Sequence, residues 1–322
     1  MILAGIDEAG YGPILGPLTV GACAMRVPGD IHGEIPDVWH LLRSAVSSKR
    51  DRTGRKLHVN DSKKVYSPSA GLAELEKSVL AWAKASDVSH ESIDAMLATV
   101  DAAPADRAKL PWYAPAGEIH PAENSTTSIA IAGNGLKHAC ESAGVAPLSP
   151  RMAVVVETTY NRLCEATRNK AATLQAQVAR LLGELLENHA REGLLIVCDR
   201  QGGRSHYDRW LRQMFPDFDL AVLAESSKRA EYLLTRGSAA ARIIFAEKGD
   251  GLALPTAMAS MWAKYIRERL MGRFNAFWLA AAGDAQIKPT AGYWTDGLRF
   301  LEDIKDARAE LGVPDRALIR SR

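Results

Sequence analysis

Two periods of apolar residues divide this chain. Residues 1–6 and 18–25 are apolar almost throughout, the pattern of buried strands, and the glycine- and proline-rich stretch from Gly10 to Pro17 predicts a turn pairing them antiparallel. Leu72, Leu75, Val79 and Trp82 recur at helical spacing and predict an amphipathic helix over 72–85. A short buried strand is expected at 153–156. One long helix is expected over 161–191, with Leu174, Val178, Leu181, Leu182 and Leu185 forming its apolar stripe and Gly193 closing it. Further strands are expected at 194–198, 220–224 and 242–246. A helix over 256–274 carries Met258, Trp262, Tyr265, Ile266 and Leu270. Strands alternating with long helices predict an α/β layered fold.

The texture changes between 104 and 150. Prolines at 104, 111, 115, 121, 147 and 150 surround the aromatic group Pro111-Trp112-Tyr113 and a helical piece near 129–142. This stretch is too apolar for a disordered linker and reads as an insertion that packs beside the core or forms a small subdomain. The expected organisation is one catalytic domain over 1–300, interrupted by an insertion at about 100–150, and a helical tail over 301–322.

Composition adds little to this picture. With 322 residues, 47% hydrophobic and 24% charged, the chain has the make-up of a soluble globular protein, and no apolar run is long enough to cross a membrane. A cytoplasmic location is expected. Cys23, Cys140, Cys164 and Cys198 lie far apart and read as buried free thiols. A net charge of +2 does not by itself indicate nucleic acid, but the charge is uneven. Lys49, Arg50, Arg52, Arg55, Lys56, Lys63 and Lys64 crowd one short segment, a pattern suited either to a solvated loop or to tracking a phosphate backbone.

The candidate chemistry begins at Asp7 and Glu8, which end the first apolar run. Neighbouring strand residues point to opposite faces, and carboxylates are costly to bury unless they are paired or bind metal. Two acids at a strand tip facing a glycine-rich turn therefore suggest a site for a hard divalent cation. Asp199 follows the run 194–198 and Asp250 stands between two glycines. Each is equally natural as a turn residue.

Five blocks taken in order change that balance. They are Asp7-Glu8-Ala9-Gly10-Tyr11-Gly12, Asp61-Ser62-Lys63-Lys64, Asn161-Arg162-Leu163-Cys164-Glu165-Ala166-Thr167, the strand-end Asp199, and Lys248-Gly249-Asp250 followed by Ala259-Ser260-Met261-Trp262-Ala263-Lys264 and Arg267-Glu268. Together they resemble the type 2 ribonucleases H, and the 14-residue step from Asp250 to Lys264 agrees with that family's spacing. The resemblance covers residues 1 to about 80 and 160 to about 300. It implies a ribonuclease H-like mixed β-sheet flanked by helices. It also implies a two-metal endonuclease using Mg²⁺ or Mn²⁺, with Asp7, Asp199 and Asp250 as metal ligands and Glu8 binding metal near the scissile 2′-hydroxyl. The implied substrate is the RNA strand of RNA–DNA hybrids, or ribonucleotides embedded in duplex DNA, cut to leave 3′-hydroxyl and 5′-phosphate ends. Gly10, Tyr11, Gly12, Lys63, Lys64 and Tyr293 are the implied nucleic-acid contacts, Tyr293 through the Gly292-Tyr293-Trp294-Thr295 segment. Glu268 is expected to form an ion pair on its helix. His206 and Tyr207 follow Asp199 closely enough to approach the site.

The chain departs from the family at three points. Tyr11 stands where the family has the arginine of Gly-Arg-Gly, Trp294 stands for a proline, and a histidine expected soon after is absent. Tyrosine cannot replace the guanidinium charge, so metal chemistry is expected to survive while substrate preference shifts. A structure-specific DNA nuclease of the same fold and a non-catalytic hybrid-binding protein are the alternatives. The four acids weigh against the second, because a pure binder gains nothing from acids facing phosphates.

Overall fold

The computed structural model describes residues 1–321 except 70, 102–103, 116, 202–203 and 284–285. Its strands are β1 (Ile2–Ala9), β2 (Leu18–Arg26), β3 (Val46–Ser47), β4 (Leu57–His58), β5 (Ala146–Pro147), β6 (Arg151–Val155), β7 (Leu194–Asp199), β8 (Asp219–Glu225), β9 (Arg229–Arg236) and β10 (Ala239–Ala246). Its α-helices are α1 (Val38–Leu41), α2 (Ser62–Val65), α3 (Ala73–Ala85), α4 (Ile93–Val100), α5 (Pro104–Arg107), α6 (Thr126–Ala143), α7 (Glu157–Thr167), α8 (Lys170–His189), α9 (Asp208–Met214), α10 (Leu254–Ala282), α11 (Trp294–Asp303), α12 (Lys305–Glu310) and α13 (Asp315–Leu318).

Eight strands form one mixed sheet in the order β5-β2-β1-β7-β10-β9-β8, with β6 also pairing β2. The run β6-β2-β1 is antiparallel, and β7 and β10 then add in parallel to β1 and to each other. This is the ribonuclease H-like mixed sheet that the resemblance implies. Strand alternation sends Leu3, Leu195 and Val197 into a core shared with α3, α6 and α10. Ile2, Ala4, Ile6, Leu194, Ile196 and Cys198 enter a second core beneath α7, α8 and α9. All four cysteines are buried and free.

α10 lies directly on the sheet because both surfaces are small where they meet. A Cβ on Gly5 would fall 2.1 Å from the backbone nitrogen of Thr256, and one on Gly21 would fall 2.8 Å from the Ala259 carbonyl. Thr256 Oγ1 donates to the Val197 carbonyl (2.9 Å), and Thr19 Oγ1 donates to that of Ala263 (2.8 Å). The Ala-Ser-x-x-Ala block is thus the packing seam between helix and sheet.

Residues 104–150 pack on this frame. Trp112 and Tyr113 are buried, and Trp112 lies against Phe274, Phe277 and Trp278 of α10. The wholly buried Glu76 of α3 accepts from the backbone of Ala122 and Glu123, from the Asn124 amide and from the Tyr265 hydroxyl.

Among the departures from expectation, two shape the frame. The helix expected over 161–191 is two helices, α7 and α8, broken where Arg168 takes a left-handed conformation (φ 48°) and Asn169 caps α8 by accepting from the Ala171 amide (2.9 Å). Asparagine competes for backbone hydrogen bonds at such a joint, and that local chemistry outweighs a stripe that could continue. Strand β9 was not expected. Its buried residues Ala230, Tyr232 and Leu234 alternate with the less buried Arg229, Glu231, Leu233 and Thr235, the period-2 pattern of a strand near a sheet edge. Among the described residues, no helix is long and apolar enough to cross a membrane.

Candidate metal and nucleic-acid site

The sheet register builds the acidic site. Parallel pairing of β1 with β7 ends at Ile6 opposite Cys198, so Asp7 and Asp199 occupy the next positions on neighbouring strands. Both continue the alternation that faces α10. Ser260 of α10 hydrogen-bonds the Asp7 carboxyl, and its hydroxyl also donates to Ser62 Oγ (3.1 Å) at the start of α2. Asp250 lies in a 3₁₀ turn between β10 and α10, and the amide of the preceding Gly249 donates to Asp199 Oδ1 (2.9 Å). A Cβ on Gly249 would approach the Asp199 backbone to 3.2 Å, so this turn needs glycine to come so close. Glu8, one residue beyond Asp7, faces the other side of β1, although its backbone amide donates to Asp7 Oδ1 (2.7 Å).

The acids raise one another's pKa. Burial pushes the Asp7 carboxyl well above the usual range, and the charges of Glu8 and Asp199 push it further. Glu8 rises to about 7 through burial and Asp199, against an opposing pull from Lys63. Asp199 is raised by burial and by Asp250. Asp250 is raised by burial and by Asp61, with Lys64 acting against it. Lys63 and Lys64 are exposed on α2, whose Asp61 cap accepts from the Lys63 amide (3.0 Å). Asn60, Lys64, Asp250 and Trp39 line a cleft of about 450 Å³ beside the acids. The largely apolar cavity between α6 and the 44–57 segment, about 670 Å³, contains none of them.

This donor set, all oxygen and mutually repelling, matches the chemistry a hard divalent cation requires. Asp7, Asp199 and Asp250 are the acids that would hold such a cation, with Glu8 at the edge, although among the described residues no three His, Cys, Asp or Glu side chains, these included, gather closely enough to form a metal site.

The glycine turn sits beside these acids. Gly10 has φ 87°, and a Cβ there would meet the Arg267 side chain at 2.4 Å and the Pro17 carbonyl at 2.7 Å. Two arginines grip the turn from within. Arg267 donates to the carbonyls of Ala291 (3.0 Å) and Leu15 (3.4 Å). Arg320 donates to those of Gly10 (2.6 Å), Tyr11 (3.1 Å) and Gly16 (3.4 Å). Asn161 anchors the segment carrying Arg320 by donating to the carbonyls of Arg316 and Ile319 and accepting from the Ser321 amide. The buried Glu157 accepts from the Gly16 amide (3.1 Å) and the Tyr113 hydroxyl (2.8 Å), which joins the 104–150 segment to the turn.

Tyr11 is half-buried. Its ring packs on the second core, and burial followed by the Glu8 charge raises its phenol pKa. Tyr293 is 55% exposed, and its ring edge lies 3.7 Å from where a Gly12 Cβ would be. Glu268 forms the expected ion pair on α10, accepting from Lys264 (2.6 Å). Tyr207 is buried and stacked on Phe245, while exposed His206 lies 3.6 Å from Glu225. Sequence reasoning missed Arg320 and Glu157. Neither belongs to a block, and both act only through contacts distant in sequence.

The order β6-β2-β1-β7-β10, with helices on both faces, is that of a ribonuclease H-like fold. Several solved ribonucleases HII, H2 and HIII are similar to it. A chain of the PCNA:RNase HII complex from Archaeoglobus fulgidus matches over 100% of this chain and 95% of its own, with TM-score 0.48 and 17% identity. Ribonuclease H2 from Pyrococcus horikoshii matches over 99% and 92%, with TM-score 0.44 and 14% identity. Bst-RNase HIII in complex with Mn²⁺ matches over 99% and 66%, with TM-score 0.43 and 14% identity. These are likenesses of fold alone. No protein-family model and no curated protein sequence matches the chain.

Proposed function

We propose that this protein is a divalent-metal-dependent endonuclease that hydrolyses the RNA strand of RNA–DNA hybrids, or ribonucleotides embedded in duplex DNA. The observation that carries the reading is the β1–β7 register, which sets Asp7 beside Asp199 at one end of the sheet, with Asp250 tied to Asp199 through Gly249. Mg²⁺ or Mn²⁺ bound there would lower the pKa of a water and offset charge on the leaving oxygen. The chain's own groups do the rest. Asp7, Asp199 and Asp250 fix the cation, and Glu8 reaches towards the scissile 2′-hydroxyl. Gly10 gives the turn its left-handed bend and Gly12 lets a ribose come close to the backbone, Lys63 and Lys64 take phosphates, and Tyr293 offers a stacking face beside Gly12.

One observation favours a second reading, a structure-specific DNA nuclease. Position 11 carries no guanidinium, and the Tyr11 ring packs partly into the core. Incubation with labelled hybrid, single-ribonucleotide duplex and plain duplex DNA, in Mg²⁺, Mn²⁺ or chelator, separates the two. Cutting at ribonucleotides that chelator abolishes supports the first reading. Equal cutting of plain DNA supports the second, and no cutting under any condition refutes both.

A further inference from the structure

We propose that the 48–56 loop is a second phosphate-binding surface, holding the substrate duplex through Lys49 and Arg52 at the end of the cleft that starts beside Asp250. The inference rests on the nucleic-acid reading of the site and adds to it residues outside every block of the resemblance. Asp250, Lys64, Asn60 and Ser48 all line the one cleft of about 450 Å³. It therefore joins an acid of the candidate metal site to the first residue of the loop. A phosphate backbone leaving the acids by this cleft passes Lys64 and arrives at Lys49.

The loop is built and does not dangle. β3 and β4 pair in parallel at its two ends, Val46 opposite Leu57 and Ser47 opposite His58. The Asn60 side-chain amide donates to the Ser48 carbonyl (2.7 Å), and its oxygen accepts from Lys64 Nζ (3.1 Å). One neutral side chain thus fixes the start of the loop against the lysine of α2. On the far side, Lys77 of α3 donates to the Gly54 carbonyl (2.8 Å). Asp51 is the only acid between residues 48 and 56, against five cations. Its carboxylate is engaged by the loop's own backbone, accepting from the amides of Thr53 (3.1 Å), Arg55 (3.0 Å) and Lys56 (2.9 Å). The acid thereby shapes the loop, and Lys49, Arg50, Arg52 and Arg55 stand exposed on it. Arg50 comes no nearer than 3.9 Å to Glu74, a solvent-exposed pair of the kind that contributes little. Among the described residues, the side chains of Lys49 and Arg52 make no ion pair. Cations carried on a fixed loop lose less freedom on binding than cations on a mobile one, which favours contact with a regular array of phosphates.

The test is equilibrium binding of the full chain to fluorescein-labelled RNA–DNA hybrid, with Ca²⁺ replacing Mg²⁺ and salt varied from about 50 to about 300 mM, a range over which counterion release is measurable. Lys49→Ala and Arg52→Ala should each weaken binding several-fold at low salt and reduce the slope of log affinity against log salt by about 0.9, and the double variant by about 1.8. Lys49→Arg and Arg52→Lys, which keep the charges, should bind like the native protein. Arg191→Ala removes an exposed cation just before β7, at the end of that strand opposite Asp199, and should leave the slope as it is. Melting temperatures within a degree or two of native show that a loss is not one of folding. A native-like slope for the double variant would overturn the inference and leave the nucleic-acid reading standing, and so would an equal loss in Arg191→Ala, which would mean that only net charge matters. Failure of the native protein to bind the hybrid would remove that reading, and the inference with it.

Discussion

Arg320 donates a 2.6 Å hydrogen bond to the carbonyl of Gly10, a residue 310 positions earlier in the chain. The same guanidinium reaches Tyr11 and Gly16, so a single buried side chain sets the curvature of the turn beside Asp7 and Glu8. The guanidinium rests on the face of Tyr160, 4.1 Å from the ring centroid.

Arg320→Lys keeps the charge and loses the fork. Hydrogen bonds to charged groups contribute about 1.5–3 kcal/mol each, so stability should fall by about that much, read by urea unfolding. Because the turn adjoins the acids, kcat should fall by more than the stability loss alone explains, with KM little changed. Native kcat in a destabilised Arg320→Lys protein would mean that the turn keeps its shape unaided.

Asp7→Asn and Asp199→Asn should each abolish cleavage in Mg²⁺ and still raise the melting temperature in chelator at pH 7.5. Burial raises both carboxyls and the neighbouring acids raise them further, so ionising them in the folded protein costs stability that the amide does not. The gain should shrink as pH falls and the native carboxyls become neutral. Near-native turnover in either variant would refute the assignment of the four-acid site.

Glu157 gives stability a pH dependence away from the acids. Burial raises its carboxyl to about 7 in the folded protein, from an ordinary value near 4.5. Between those values the folded state binds more protons than the unfolded state, so stability falls as pH rises from about 4.5 through about 7, by about 3 kcal/mol in all. Glu157→Gln retains an acceptor for Tyr113 and Gly16 and does not ionise. It should flatten the denaturation-midpoint profile across that window by a comparable amount, leaving the slope due to Glu8, which also rises to about 7. An unchanged profile would show that Glu157 is ionised in the folded protein.

Tyr11→Arg places a guanidinium where the type 2 ribonucleases H, which these motifs resemble, carry one. Well-placed charge-assisted bonds of about 1.5–3 kcal/mol should sharpen preference for a lone ribonucleotide over a continuous hybrid by roughly ten- to a hundred-fold. The ratio of kcat/KM on the two substrates at one salt concentration is the measurement. An unmoved ratio would place the preference elsewhere, with Tyr293 the next candidate.

The sequence displayed what is local. Asp7 and Asp199 were legible because each ends an apolar run, and the buried strands β1, β2 and β7 because such runs have few other uses. Strand β9 was harder to see because half of its residues are charged or polar, and only alternation marks it. The joint between α7 and α8 was hidden by an apolar stripe that runs past a strong Asn169 cap. Arg320 and Glu157 left no trace, since an isolated arginine or glutamate reads as surface until the residues it meets are known. What folding adds to the acids is their setting, a turn held by buried arginines.

The grip of Arg320 on Gly10 also orders events during synthesis. β1 and its acids are made well before Arg320, and the strands of the sheet are all made by Ala246. The turn beside those acids gains the Arg320 anchor only later. A nascent chain can therefore assemble its sheet while the mouth of its site is still loose.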